Sequence, residues 1–350
     1  MRPCTRHYRT GISAPLLLSH RSSLAHDPGP HPESAERMRA LEAALAARGG
    51  LGWRREESVP APRSALESVH SGRSLDAIER FCEEGGGAID ADTRASRDTW
   101  EAALHGAGGA VQVVDALVGG EAPSAFSAHR PPGHHADAGR AMGFCFLNHV
   151  AVAAQHAIDA HGLERVLVLD WDVHHGNGTN DIFHASAQVL YASIHESPLY
   201  PGTGPASDVG TGAGEGYTVN LPVPGGSGDA VWCSMAEHVV AEVARAYEPQ
   251  LILISAGYDA HREDPLATCE VSDAGFATMA RSLRHVADQL GAPLGGVLEG
   301  GYAVEAMARS VVATLEVLGD EGKPREDEIA RHPLAEQAAA RLAPYWPHLR

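Results

Sequence analysis

The sequence is poor in cysteine, in aromatic residues, in positive charge and in long hydrophobic runs. Its 350 residues hold five cysteines, scattered and odd in number, with no Cys-x-x-Cys pair. That excludes a disulfide framework and a zinc knuckle, and fits a reducing cytoplasm. Lys and Arg number 27 against 45 Asp and Glu, a formal net charge of −18. Phosphate binding needs a basic face, so nucleic acid is excluded as a partner, while an acidic field suits cationic substrates. The N-terminus carries Arg2, Arg6 and Arg9, but its one apolar run, Leu16 to Leu18, is far short of a signal segment or a membrane span. No other stretch has transmembrane length, so no membrane partner is expected.

What is present is ordinary for a soluble enzyme: 44% hydrophobic and 21% charged residues, with aromatics at only 5%. A chain of this length can form one large α/β domain. We expect a single domain over 1–350, with its core at about 14–320 and a peripheral C-terminal tail at 321–350. The sequence leaves the oligomeric state open, a homo-oligomer included.

Strand and helix patterns alternate along the chain. Ala14 to Ser19 reads as a first strand, and Pro32 with Glu33-Ser34 opens an Ala/Leu-rich helix to Ala47. Composition alone assigns His31, Glu33 and Arg37 to helix capping and surface charge. Ala65 to Glu84 reads as one helix stopped by Gly85-Gly86-Gly87, and Ser96 reads as the cap of a helix from about Arg97 to Val118. Short apolar runs at Ser124–Ala128, Val166–Leu169, Val189–Ile194, Tyr217–Val223, Leu251–Ser255 and Leu294–Leu298 read as strands, with helical stretches between them. This order implies a mostly parallel sheet covered on both faces.

The polar clusters follow the strands. Asp170-Trp171-Asp172-Val173-His174-His175-Gly176-Asn177-Gly178-Thr179 begins where the strand at Val166 ends. Strand alternation would put Asp170, Asp172 and His174 on one side, a metal-ligand set. Asp259 emerges from another strand's carboxyl end and is the natural further ligand. His134 and His135, adjacent behind Arg130-Pro131-Pro132-Gly133, form a pair suited to acid/base work. Tyr302 follows Glu299-Gly300-Gly301 after the last strand. Open α/β sheets keep their chemistry at such strand ends, so converging ends would build one site. No Gly-Lys-Ser/Thr occurs, which argues against a phosphate-cradling loop.

Five stretches in order carry a family resemblance: Arg130-Pro-Pro-Gly-His-His135, Gly143-Phe-Cys-Phe-Leu-Asn148, Asp170 to Thr179, Ser255-Ala-Gly-Tyr-Asp-Ala-His261 and Leu298-Glu-Gly-Gly-Tyr302. Together they resemble the histone deacetylase superfamily, with its acetylpolyamine amidohydrolases and acetoin-utilisation proteins. The resemblance runs from His31-Pro-Glu to the helix after Tyr302. It implies an arginase-like three-layer α/β/α fold with an eight-stranded sheet. It further implies that Asp172, His174 and Asp259 hold zinc, with Fe2+ an alternative, and that His134 and His135 are the tandem catalytic histidines. Tyr302 matches the transition-state tyrosine, and Phe144, beside Gly143, one wall of an acyl-lysine tunnel. Asp170 matches the acid that pairs with the first histidine and helps hold a structural potassium ion, to which Ser193 resembles a further ligand. Asn177 stands where the class I branch has Asp, which points to the class II branch and its bacterial relatives.

The chemistry implied is amide hydrolysis. A metal held by one imidazole and two carboxylates keeps open positions for a water and an amide carbonyl. His135, facing Asn177 instead of a carboxylate, is expected to stay neutral and act as general base; His134, paired with Asp170, is expected to be protonated. Leu266 matches the position where polyamine-specific relatives carry Glu, so acyl-lysine is expected over acetylpolyamine. Asp92 matches a rim acid that holds the substrate, and Leu199-Tyr200 departs from the paired aromatics of many deacetylases, which would widen one wall. Two competing readings are a binuclear ureohydrolase, which needs a carboxylate where Gly176 stands, and a catalytically silent acyl-amine binding protein, which needs a broken catalytic set.

Overall fold

A computed structural model describes residues 14–320 and 328–349; Arg2, Arg6, Arg9 and the first part of the expected tail lie outside them. The strands are β1 (Leu16–Ser19), β2 (Arg54–Glu57), β3 (Gly86–Ala88), β4 (Arg94–Ser96), β5 (Ser124–Ser127), β6 (Val166–Asp170), β7 (Val189–Glu196), β8 (Thr218–Val223), β9 (Leu251–Ala256) and β10 (Leu294–Leu298). An eight-stranded sheet runs β2-β1-β5-β10-β9-β6-β7-β8 with every pairing parallel, and β3 with β4 forms a separate antiparallel hairpin.

Period-two alternation divides the apolar residues between two faces. Leu167 and Leu169 of β6 join Ile252 and Ile254 of β9 in a core beneath the helices Asp273–Leu290 and Val304–Leu318. Val166 and Val168 join Leu251 and Leu253 in the opposite core, against the helices Thr99–Val118 and His149–Asp159. Strands buried on both faces read as continuous apolar runs, which is why the sequence shows them clearly. β2 is the exception. Its residues Arg54-Arg55-Glu56-Glu57 are all exposed, so no hydrophobic signal marks it, and charges on an edge strand discourage further pairing.

Three local expectations change. The stretch Ala65 to Glu84 breaks into helices Arg63–Glu67 and Gly72–Glu83, because the Ser71 hydroxyl accepts from Ser74 N (3.2 Å) and starts a new helix. Ser96 is the end of β4, and no cap: the long helix begins at Thr99, whose hydroxyl accepts from Ser96 N at 2.7 Å. Gly85–Gly87 does stop the preceding helix, and its last two residues begin β3 of the hairpin. The tail, expected at the periphery, folds back: Ala335, Ala338 and Leu342 of the helix Pro333–Leu342 are buried in the first core with Trp346. Arg341 donates to Asn220 O (2.8 Å) and Trp346 Nε1 to Gly216 O (2.9 Å), so the tail covers the β8 edge.

Register positions the chemistry. Asp170 pairs with Ser255 on one side and Ser193 on the other, and Ser255 pairs with Val297, so β6, β9 and β10 end level within about one residue at the middle of the sheet. No helix among the described residues is long and apolar enough to cross a membrane.

Small residues let the helix Thr99–Val118 lie close to its neighbours. A Cβ on Gly108 would meet Val59 O at 1.8 Å, and main chain yields less readily than a side-chain tip. Gly108→Ala should therefore destabilise the fold by roughly 1–3 kcal/mol, the scale of overpacking, read from urea midpoints; an unchanged midpoint would refute this packing.

Candidate active site

The polar residues after β6 are positioned by turns and not by pleats. The strand ends at Asp170, where Oδ1 accepts from Asp172 N (3.1 Å), and Asp172 Oδ1 in turn accepts from His174 N (2.9 Å). The expectation from strand alternation is thus corrected in its geometry. Asp170 stands outside the group that Asp172 and His174 form with Asp259, and its Oδ2 pairs with His134 Nδ1 at 3.0 Å and with the Tyr191 hydroxyl at 3.0 Å. Asp259, after β9, takes the third position. His174 Nδ1 lies 3.1 Å from Asp172 Oδ1 and 3.0 Å from Asp259 Oδ2, all three side chains being buried or nearly so.

This donor set suits a divalent metal. One imidazole nitrogen and two carboxylates converge, and the carboxylates' other contacts are main-chain donors that orient them: Gly300 N to Asp172 Oδ2 (2.9 Å) and Val173 N to Asp259 Oδ1 (2.9 Å). Glycine is required here. A Cβ on Gly257 would stand 2.1 Å from Asp172 Oδ2, and one on Gly300 2.4 Å from Asp259 Oδ2. Burial and the Asp172 charge push Asp259 up to about 7, a strain that bound positive charge relieves.

The two histidines sit in different fields. Burial opposes charge on His134, but the carboxylates of Asp172 and Asp170 outweigh it and raise its pKa to about 10. Burial and the charges of His134 and His174 hold His135 well below the usual histidine range, and its Nδ1 pairs with the neutral Asn177 Oδ1 at 2.8 Å. Their rings are 4.0 Å apart. Tyr302 is 9% exposed, and burial keeps its hydroxyl protonated, well above the ordinary tyrosine range despite Arg37 nearby. Phe144, half-buried at φ 69°, meets the Tyr302 ring edge to face at 5.5 Å, and a Cβ on Gly143 would strike the His135 ring.

Around this centre the substrate-facing candidates are spread. Tyr200, 38% exposed, stands edge-on to His135 at 5.2 Å, and Leu199 beside it supplies no second ring. Asp92 lies half-buried in the β3–β4 turn, its carbonyl 3.0 Å from His31 Nε2, while Thr93 Oγ1 accepts from Phe144 N. Leu266 is half-buried and donates from its main chain to Asp264 Oδ1 (3.0 Å). Ser193 pairs in register with Asp170, and its hydroxyl lies 3.0 Å from His195 Nδ1.

Several supporting residues escaped the sequence. Glu33 and Arg37, expected at the surface, are 1% and 0% exposed. Arg130 grips Glu33 with two bonds of 2.6 and 2.7 Å, and Arg37 bonds Glu33, the Glu299 carbonyl and Gly301 O (2.7 Å) while lying 5.1 Å over the Tyr302 ring. Only tertiary contact brings these partners together; the signal available was the charge inside otherwise matching motifs. Glu299 Oε2 accepts from Gly133 N (2.6 Å) and His134 N (3.1 Å), and Oε1 from Ser255 Oγ (3.1 Å), tying the histidine loop to β9 and β10. Asp264 Oδ2 holds Tyr302 N (2.6 Å) and Ala303 N (3.0 Å).

A parallel α/β sheet thus carries at its carboxyl edge a buried Asp-His-Asp group that could hold a metal, beside adjacent histidines and a tyrosine. Comparison with known proteins gives the family. The model of the histone deacetylase domain matches residues 31–318. Histone deacetylase 15 of Arabidopsis thaliana is 39% identical over 310 residues, 87% of this chain and 55% of that protein. A probable deacetylase of Archaeoglobus fulgidus is 38% identical, covering 83% and 81%, and the histone deacetylase-like amidohydrolase of Pseudomonas aeruginosa 38%, covering 82% and 77%. The crystal structure of the HDA15 HD domain superposes with TM-score 0.89 at 36% identity over 96% of each chain. The chain belongs to the histone deacetylase family and is a deacetylase hydrolase of a generally metal-dependent kind.

Two outcomes check these supports. Ion pairing with Arg130 and hydrogen bonds overcome burial and hold Glu33 well below its ordinary 4.5, so the folded state favours the ionised acid and this stability is present above about pH 4.5 and lost below it. Glu33→Gln should cost about 3–5 kcal/mol at pH 7, the cost of stranding a buried cation, and should flatten the acid limb of a stability–pH curve from denaturant melts. A variant as stable as the parent at pH 7 would contradict the pairing. Glu299→Ala should lower kcat with little change in KM, while Glu299→Gln, which can accept from both amides and donate to Ser255, retains most turnover; equal loss in both would contradict the anchoring role.

Proposed function

We propose that the protein is a zinc-dependent amidohydrolase that removes acetyl or other short acyl groups from lysine side chains or related amines. The observation that carries this reading is the convergence of Asp172, His174 and Asp259 beside the His134–His135 pair at the level ends of β6 and β9. Zinc held there supplies Lewis acidity, polarising an amide carbonyl and lowering a water's pKa to about 7; Fe2+ fits the same oxygen-rich set.

The protein's own residues complete the hydrolysis. His135 donates from Nδ1 to Asn177, which leaves Nε2 to take the proton of the attacking water. His134, charged against Asp170, places positive potential beside the oxygen that becomes negative. The Tyr302 hydroxyl donates to that oxygen. The C–N bond then breaks, and the proton taken by His135 goes to the leaving amine nitrogen. Phe144 and Tyr200 flank the acyl chain, Asp92 orients the amine's backbone at the rim, and Leu266 offers no carboxylate to a second ammonium. Asp170 and Ser193, neighbours across β6 and β7, would hold a structural potassium ion. We read the chain as one catalytic domain working in the cytoplasm.

The ureohydrolase alternative finds no room: a Cβ on Gly176 would stand 2.2 Å from Asp170 Oδ2. Steady-state assays on zinc-loaded enzyme with an acetyl-lysine peptide, a trifluoroacetyl-lysine peptide and N-acetylputrescine test the proposal. Peptide turnover should fall by about a hundredfold or more in Tyr302→Phe. Preference for the polyamine would overturn the role of Leu266, and no turnover of any substrate would favour a silent acyl-amine binder.

A further inference from the structure

Among the described residues, two groups of side chains that could ligate a metal lie away from the active centre, and their ring geometries differ. His20 and His105 stack with rings at 10° and centroids 3.5 Å apart beside Glu101, so their ring planes run nearly parallel, with one ligand atom of each of the three side chains within 4.8 Å of the others. Asp115, His156 and His161 are arranged otherwise. Asp115 belongs to the final turn of the helix Thr99–Val118, His156 to the last turn of His149–Asp159, and His161 to the turn that follows.

Both imidazoles aim Nε2 at one oxygen: each stands 2.7 Å from Asp115 Oδ1. Their rings meet at 82° with centroids 5.4 Å apart, so the two nitrogens reach that oxygen from different directions. Ligand atoms on a tetrahedral ion with bonds of about 2.0–2.1 Å are separated by about 3.3 Å. The 2.7 Å contacts therefore need to open by about 0.6 Å, a shift on the scale of side-chain rotation. Asp115 is 50% exposed, with His156 and His161 at 19% and 24%, which leaves water free to fill the remaining coordination positions. The protein's net charge of −18 raises the local concentration of cations.

We propose that Asp115, His156 and His161 form a second divalent-cation site, an N2O set for a borderline ion of the zinc, copper(II) or nickel(II) kind. Two imidazoles and a single carboxylate select such ions over magnesium and calcium, which take oxygen ligands. The bound ion ties the ends of two helices that pack on the same face of the sheet, so it stabilises the fold without entering the reaction.

The test is zinc titration of the full chain, followed by metal counting after equilibrium dialysis, in a His174→Ala background that removes an active-centre ligand and in the parent. In both backgrounds the protein should retain one zinc more than its His156→Ala and His161→Ala counterparts, with at least about tenfold weaker binding once either ligand is lost. Zinc should also raise the melting temperature of the parent more than that of these variants, while deacetylase turnover at saturating active-centre zinc stays unchanged. Asp115→Asn, which keeps a hydrogen-bonding oxygen but loses the ligand charge, serves where an alanine variant folds poorly. Equal zinc content with and without His156 and His161 would overturn the proposal, whatever the active centre binds.

Discussion

The structure depends on burying acids at the middle of a parallel sheet. Asp170, Asp172, Asp259, Asp264 and Glu299 are all at or below 7% exposure around the ends of β6, β9 and β10. Carboxylates so placed repel one another and lose water, and they persist only where donors replace it. Main-chain N–H groups supply much of that replacement, from Asp172, Val173, Gly300, Gly133, Tyr302 and Ala303 among others. His134 supplies charge. The group of Asp172, His174 and Asp259 is one that could also hold a metal ion, whose charge would relieve the acids further.

Each donor has to come close, and this sets the composition of the loops. Gly257 and Gly300 leave no space for a Cβ against Asp172 and Asp259, and Gly176 none against Asp170 and Tyr191. The Gly-rich motifs are therefore consequences of the acids, and the register that levels the strand ends makes both possible. Beneath the tyrosine loop, Arg37 and Arg130 share Glu33 and connect the helix Glu36–Ala47 to the last strand's exit.

The buried strands were legible because two covered faces demand continuous apolar residues, and the candidate site clusters stood out because their residue types follow directly after those strands. β2 was not, since a charged edge strand has no apolar pattern. Glu33 and Arg37 read as helix-start charges because nothing local marks burial: Arg37 meets Gly301 264 positions away. The placement of Asp172 and His174 by successive side-chain turns also lies beyond strand periodicity, although the residues themselves were evident. Tyr200 was named as a substrate-side residue, while its edge-on approach to His135 is set by a loop that strand and helix periods do not describe.

The sheet's two edges end by different means, with a consequence for where the chain tolerates shortening. β2 closes its side with exposed charge, which needs no covering element. β8 closes its side with the tail, where the indole of Trp346 and the guanidinium of Arg341 take main-chain oxygens at or beside the strand. Loss of that tail would leave acceptors of a mostly buried strand open to any extended backbone, so the last residues act as a stopper against strand addition between molecules.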